Sequence, residues 1–327
     1  MKRISFTCLF VFAIGIALGQ QVPRFSQYIL NNYGINPAYA GSNQGFEVKV
    51  GRRQQWIGMP YAPITNFVSA VYTIRPKYSY RGWHGLGTYI EQDNAGLFNN
   101  KSYFLSYAYH LRLFGAVKMG MGLGVGFRSV GISNISIGVN DPVSQNLGKT
   151  AYHLPDFASG LKIYSKKFFV DLSMKKFPLV NPSINKIGEG NVDRPVIYLT
   201  YGEKFHTGTN EFLLVPTVHM QATIMDTKLF KKGSPFPRPT IDVGFMAYYR
   251  KRFGMGAQYR ISNTVTGIVQ VRIFNNSVLG ISYDYSLGRM GKASPSSLEI
   301  ILGFSPLISD EERFTPRDVS RCPEFDF

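Results

Sequence analysis

The chain is 327 residues long with a formal net charge of +16, and it is only 17% charged but 14% aromatic. Beyond the first twenty residues no apolar run reaches the ~18 residues of a helical membrane span, which excludes that class. Of its two cysteines, Cys8 lies in an apolar leader, so Cys322 has no intrachain disulfide partner once the leader is gone.

Lys2 and Arg3 precede the apolar run Ile4–Leu18, and Ala17 and Gly19 are the small residues a signal peptidase reads. Residues 1–19 are therefore expected to be a signal peptide, cleaved near Gln20. For an exported chain the basic balance points away from nucleic acid. Solvated loops, acidic lipopolysaccharide or acidic partners are the alternatives. Residues 20–44 read as a periplasmic N-terminal segment. Its stretch Phe25–Ser42, FSQYILNNYGINPAYAGS, follows neither a helical nor a strand period. Asn36-Pro37 and Gly41 set turns in it. It is either a plain linker or a plug or lid for a lumen, and its bulky apolar residues favour packing.

From residue 45 onward dyad alternation predicts strands. In Met119–Arg128 the side chains of Met119, Met121, Leu123, Val125 and Phe127 share one face, opposite Gly120, Gly122, Gly124, Gly126 and Arg128. Tyr103–Leu113, Ile241–Tyr249 and Gly280–Leu287 repeat the pattern. About fourteen strands are predicted, near 45–55, 64–75, 84–92, 101–112, 117–128, 156–164, 167–175, 195–204, 211–223, 240–250, 253–261, 265–274, 277–287 and 297–305. The segment 253–264 is weakly patterned, and Pro216 inside a strand implies a bulge or a shifted boundary. Links after even-numbered strands are mostly tight; those after odd-numbered strands tend to be longer, notably 129–155, 176–194 and 224–239. Strands of ~9–12 residues with aromatic ends and alternating link lengths fit an all-β fold, a transmembrane antiparallel up-and-down β-barrel over 45–305. A tail, 306–327, follows on the periplasmic side.

Phe25–Ser42 resembles the opening signature of the PorP/SprF family of the type IX secretion system of Bacteroidota, at Phe25, Ser26, Gln27, Tyr28, Asn36, Pro37, Ala38, Tyr39 and Gly41. The resemblance continues at Arg53, Gln55, Trp56 and Gly58, with Ala62-Pro63, and returns at Tyr283, Asp284 and Tyr285 and in Leu298–Phe304. It departs at Gln54, where Asn is commoner, and in the tail Phe314–Phe327. The resemblance implies an outer-membrane barrel that supports export or surface retention of a partner with a C-terminal sorting domain, such as a gliding adhesin, or that works with other envelope components of the machinery.

Chemistry is sparse. Gly148-Lys149-Thr150 resembles the end of a phosphate loop, but Val143 stands where glycine is required. His84, His110, His153, His206 and His219 lack HExxH or CxxC companions, and no G-x-S-x-G occurs. No catalytic residue, metal ligand or cofactor is predicted. Alternation turns Arg112, Arg128, Lys162, Asp171, Asp242, Arg272 and Asp284 toward the lumen. Their bland reading is a salt-bridged interior without an open channel; their functional reading is a basic passage. Two functions follow: a non-enzymatic barrel that docks a partner through its loops and lumen, or a diffusion channel for anionic solutes.

Overall fold

A computed structural model describes residues 23–43, 45–75, 82–96, 98–132, 152–178, 195–206, 211–223, 239–250, 252–274, 276–287 and 296–305. The leader with its cleavage site, the tail with Cys322, the Gly148–Thr150 stretch and most of the three long loops lie outside the described residues.

The strands are β1 (Phe46–Gln54), β2 (Ile64–Ile74), β3 (Gly82–Ala95), β4 (Phe98–Phe114), β5 (Val117–Ile132), β6 (Tyr152–Tyr164), β7 (Phe168–Pro178), β8 (Val196–Glu203), β9 (Phe205–His206), β10 (Phe212–Thr223), β11 (Thr240–Tyr249), β12 (Phe253–Arg260), β13 (Thr264–Ile273), β14 (Ser277–Ser286) and β15 (Ser296–Phe304). Each pairs antiparallel with its neighbours in chain order. The last strand, β15, pairs with β1, and β10 pairs with both β8 and β11, so the sheet closes on itself. Since β8 and β9 are one stave broken at Lys204, the barrel has fourteen staves, the number predicted. Among the described residues every stave therefore has a neighbour on both sides, as a structure surrounded by hydrocarbon requires.

The barrel is inside out relative to a water-soluble protein. Leu105, Leu123, Val125 and Met255 stand exposed on its outer face, while Lys49, Arg128, Lys162 and Glu299 are buried within. On β5 the outward row is Met121, Leu123, Val125 and Phe127, and the glycines alternate inward. Outward aromatics crowd both ends of the apolar belt, among them Phe46, Phe114 and Phe304 at one end and Tyr283 and Tyr285 at the other. An apolar band with aromatic girdles around a polar interior is an outer-membrane barrel.

Two sequence expectations need correction. The spans 84–92 and 101–112 are too short, because β3 and β4 continue to a tight hairpin at Gly96, whose φ is +61°. The third link is therefore short, and the wall stands tall over β3–β5. Pro216 marks a break in a ladder. On that side β10 pairs with β9 through Leu213 and Leu214 and with β8 from Thr217 onward. The proline's missing N–H falls in the gap between them, where it removes no ladder bond.

Candidate functional site

The described part of the opening segment lies inside the barrel, not beneath it, and is buried along almost its whole length. The plug alternative, rather than the linker, describes it. The chain begins near the long-loop ends of β1, β14 and β15 and descends through one short helix, α1 (Asn32–Ile35), and a 3-10 turn (Pro37–Tyr39). It reaches the tight-turn end, where the Gly41 carbonyl accepts from Trp83 Nε1 at 2.7 Å, and then enters β1.

Five stretches of the chain meet at the upper end of this plug. Arg53 of β1 donates Nη2 to Asp284 of β14 at 2.6 Å and Nη1 to Glu299 of β15 at 2.9 Å. The Glu299 carboxylate also accepts the backbone amides of Ser26 and Gln27 at 2.8 and 3.0 Å. The Ser26 hydroxyl donates to Asp284 at 2.8 Å and the Thr266 hydroxyl at 2.9 Å. Two buried carboxylates share one guanidinium, and their remaining lone pairs take plug amides and hydroxyls. Buried ions persist only with that degree of hydrogen bonding. Beside this clasp Arg260 grips Asp242 with Nε and Nη2 at 2.8 and 2.9 Å, and Gln258 donates to the Ser26 carbonyl at 3.1 Å.

The middle and lower plug are fitted side chain by side chain. Phe25 meets Phe67 edge-on at 5.3 Å. Tyr28 stacks on His219 at 4.4 Å and its hydroxyl lies 2.7 Å from Thr217 Oγ1. Asn36 caps the 3-10 turn by accepting from the Ala38 amide at 2.9 Å, and its side-chain amide donates to the Leu161 carbonyl at 3.1 Å. Ala38 and Pro37 press against Gly122 so closely that a Cβ there would lie 2.7 Å from Ala38 Cα. Tyr39 donates to Asp171 at 2.5 Å, and Lys162 Nζ stands 3.3 Å from the Tyr39 ring centroid, a cation–π contact. Gly120 and Gly122, two of the inward glycines of β5, are the seat of the plug.

The other predicted residues fall into place differently. Beyond Arg53, Gln55 is buried and its amide donates to the Pro63 carbonyl at 2.9 Å. The Trp56 amide donates to Ser297 Oγ at 3.3 Å, Gly58 forms part of the same turn, and Ile57 N bonds the Ser296 carbonyl at 3.0 Å. The second signature thus ties the first loop to β15. Arg128 pairs with Asp156 at 3.2 Å across the lumen wall. Arg112 and Arg272 stand half-buried at the tight-turn ends of β4 and β13, away from the clasp. Tyr283 and Tyr285 flank Asp284 but face outward, so their stretch divides between clasp and aromatic girdle.

Sequence reasoning missed Glu299, Arg260, Asp156 and Lys49 as interior charges. Glu299 was readable, since it alternates with the apolar Leu298 and Ile300; Arg260 lay in the weakly patterned segment. Beside the plug, Trp83, Tyr164, Phe169, Val215, Met246 and Tyr248 fill the tight-turn half with an apolar cluster. Among the described residues no group of three or more His, Cys, Asp or Glu is arranged to hold a metal ion.

The geometry has known counterparts. The CymD monoaromatic hydrocarbon channel superposes with a TM-score of 0.51 at 12% identity, covering 90% of this chain and 96% of that one. The outer membrane protein Omp33 of Acinetobacter baumannii gives 0.45 at 9% identity, covering 81% of this chain and all of that one. At 12% identity the likeness to CymD is one of fold. No curated protein sequence matches the chain. The family model for the type IX secretion system membrane protein PorP/SprF matches residues 17–304, almost the full length. The chain therefore belongs to the PorP/SprF family of type IX secretion system membrane proteins.

Proposed function

We propose that the protein is a non-enzymatic barrel that supports export or surface attachment of a secreted partner, such as a gliding adhesin with a C-terminal sorting domain, by docking it. The observation that carries this reading is the filled lumen: plug, clasp and apolar lower cluster occupy the space a solute would need. With the interior occupied, recognition falls to the long-loop end. Tight turns then face the periplasm, long loops face outward, and the basic loops meet lipopolysaccharide. Other envelope components of the secretion machinery are the second class of partner.

Affinity isolation of the tagged chain from detergent-solubilised outer membranes tests this. Co-isolation of a secreted or envelope protein is expected; recovery of the barrel alone overturns it. Planar-bilayer recording addresses the channel reading. A silent wild-type barrel is expected, whereas a steady anion-selective current would replace docking with solute diffusion.

A further inference from the structure

The outer wall carries a concavity that neither the plug nor partner docking uses. It holds about 670 Å³ and crosses β4–β8. Tyr107, Met121 and Leu123 form one side, Leu172 and Ile197 the other, and the small Ser159 leaves the middle open. Its origin is local. Ser159 is a small residue in an outward row of bulky ones. Just beyond its register partner Met174, the β6–β7 ladder slips between Phe157 and Ser159, with Lys176 at φ +60°. A bulge of this kind bends a strand and re-aims its side chains.

The groove lies at a telling depth. From the floor residue Ser159 to Lys166 the chain runs about 23 Å at ~3.3 Å per residue. Tilt reduces that to about 17 Å of height, inside a ~25 Å apolar band. At the tight-turn end of the same strands, Lys166 and Lys167 are both exposed. The nearby acid on β8 is Glu203, whose carboxylate accepts the Tyr201 hydroxyl. An apolar trough within the belt, with a lysine pair about an extended acyl chain's length away, matches one amphiphile, with its negative charge at the turn and the end of its hydrocarbon in the trough.

We infer that this face binds an anionic glycerophospholipid, its phosphate at Lys166 and Lys167 and one acyl chain in the groove floored by Ser159. Apolar attraction cannot select a lipid within a bilayer, because tails resemble the wall. Shape holds the chain, and the lysines supply preference. Each cation near a membrane surface favours an anionic lipid by several-fold, so the pair, offset by Glu203, predicts roughly tenfold selectivity.

The full-length barrel in nanodiscs of mixed phosphatidylglycerol and phosphatidylcholine, released into native mass spectrometry, tests this. One retained phosphatidylglycerol per barrel is expected, with roughly tenfold preference over phosphatidylcholine. Ser159→Phe, which fills the trough from the outer face, should abolish retention. Lys166→Glu with Lys167→Glu lies outside the staves; it should keep retention and lose the preference. Heat-modifiable gel mobility confirms folding of each variant. No retained lipid, equal retention of both lipids by the wild type, or undiminished retention by Ser159→Phe would overturn the assignment. So would a protein, rather than a lipid, released by Ser159→Phe.

Discussion

Arg53 and Glu299 face one another as register partners across β1 and β15, the seam that closes the barrel, with 2.9 Å between guanidinium and carboxylate. Because Glu299 also holds the Ser26 and Gln27 amides, the seam and the plug share one residue. Closing the ring and seating the plug are therefore coupled. Arg53→Ala leaves two buried carboxylates without their cation, and removing one partner of a buried pair costs about 3–5 kcal/mol. Thermal unfolding followed by heat-modifiable mobility should show a large drop. A Glu299→Gln background should make the same substitution cheaper, since less charge is stranded. Equal losses in both backgrounds would mean that the two residues act separately.

The signature tyrosines should respond unequally to loss of their hydroxyls. Tyr39→Phe removes the hydroxyl that donates to the buried Asp171 carboxylate, a penalty of about 1–3 kcal/mol. Tyr285→Phe touches a ring that is 49% exposed on the outer face, and a change within about 0.5 kcal/mol is expected. Comparing the two melting shifts measures which part of the resemblance is structural. Equal shifts would contradict the placement of Tyr285.

The staves were legible because alternation is local: Met119–Arg128 separates its two faces without knowledge of any neighbour. The seam was not, since Arg53 and Glu299 stand 246 positions apart and their encounter depends on the closing register. Asp284 could be placed inside by alternation, yet nothing in its own strand names Arg53 as its partner. The β3–β4 hairpin was misjudged for a related reason. Its upper residues, Gln92 to Lys101, are mostly polar on both faces, so the alternation fades while the backbone pairing continues. The plug was visible only as an excess of bulky residues without period, since its order comes from the wall around it.

That dependence can be tested at Gly122. A leucine there must displace the 3-10 turn, because its Cβ would overlap Pro37 and Ala38. Overpacking of this kind costs about 1–3 kcal/mol, which an unseated plug relieves. Ala38 is fully buried, so in a Cys322→Ser chain a cysteine at position 38 should resist a water-soluble maleimide. Adding Gly122→Leu should make it react. Continued protection would mean that the turn is held by contacts other than its seat on β5.

Asp171 makes the last case. Its Oδ2 accepts from Tyr39, but its Oδ1 has no hydrogen-bond partner among the described residues although the side chain is buried. A cavity of about 10 Å³ adjoins it, lined also by Asn32, Asn36, Ser173 and Thr200. A space of that order admits about one water, and polar walls supply the two to four partners that such a water needs. An experimental density map at high resolution should contain one ordered water bonded to Oδ1. Asp171→Leu removes both the orphaned acceptor and the charge opposite Lys162. Because Lys162 then loses that opposing charge, the variant should lose stability even though the cavity is filled. Asp171→Asn keeps the shape and one acceptor oxygen, turns an amide donor toward the water and should lose less. If the leucine variant proved the more stable of the two, neither the water nor the lysine would be holding the lower plug.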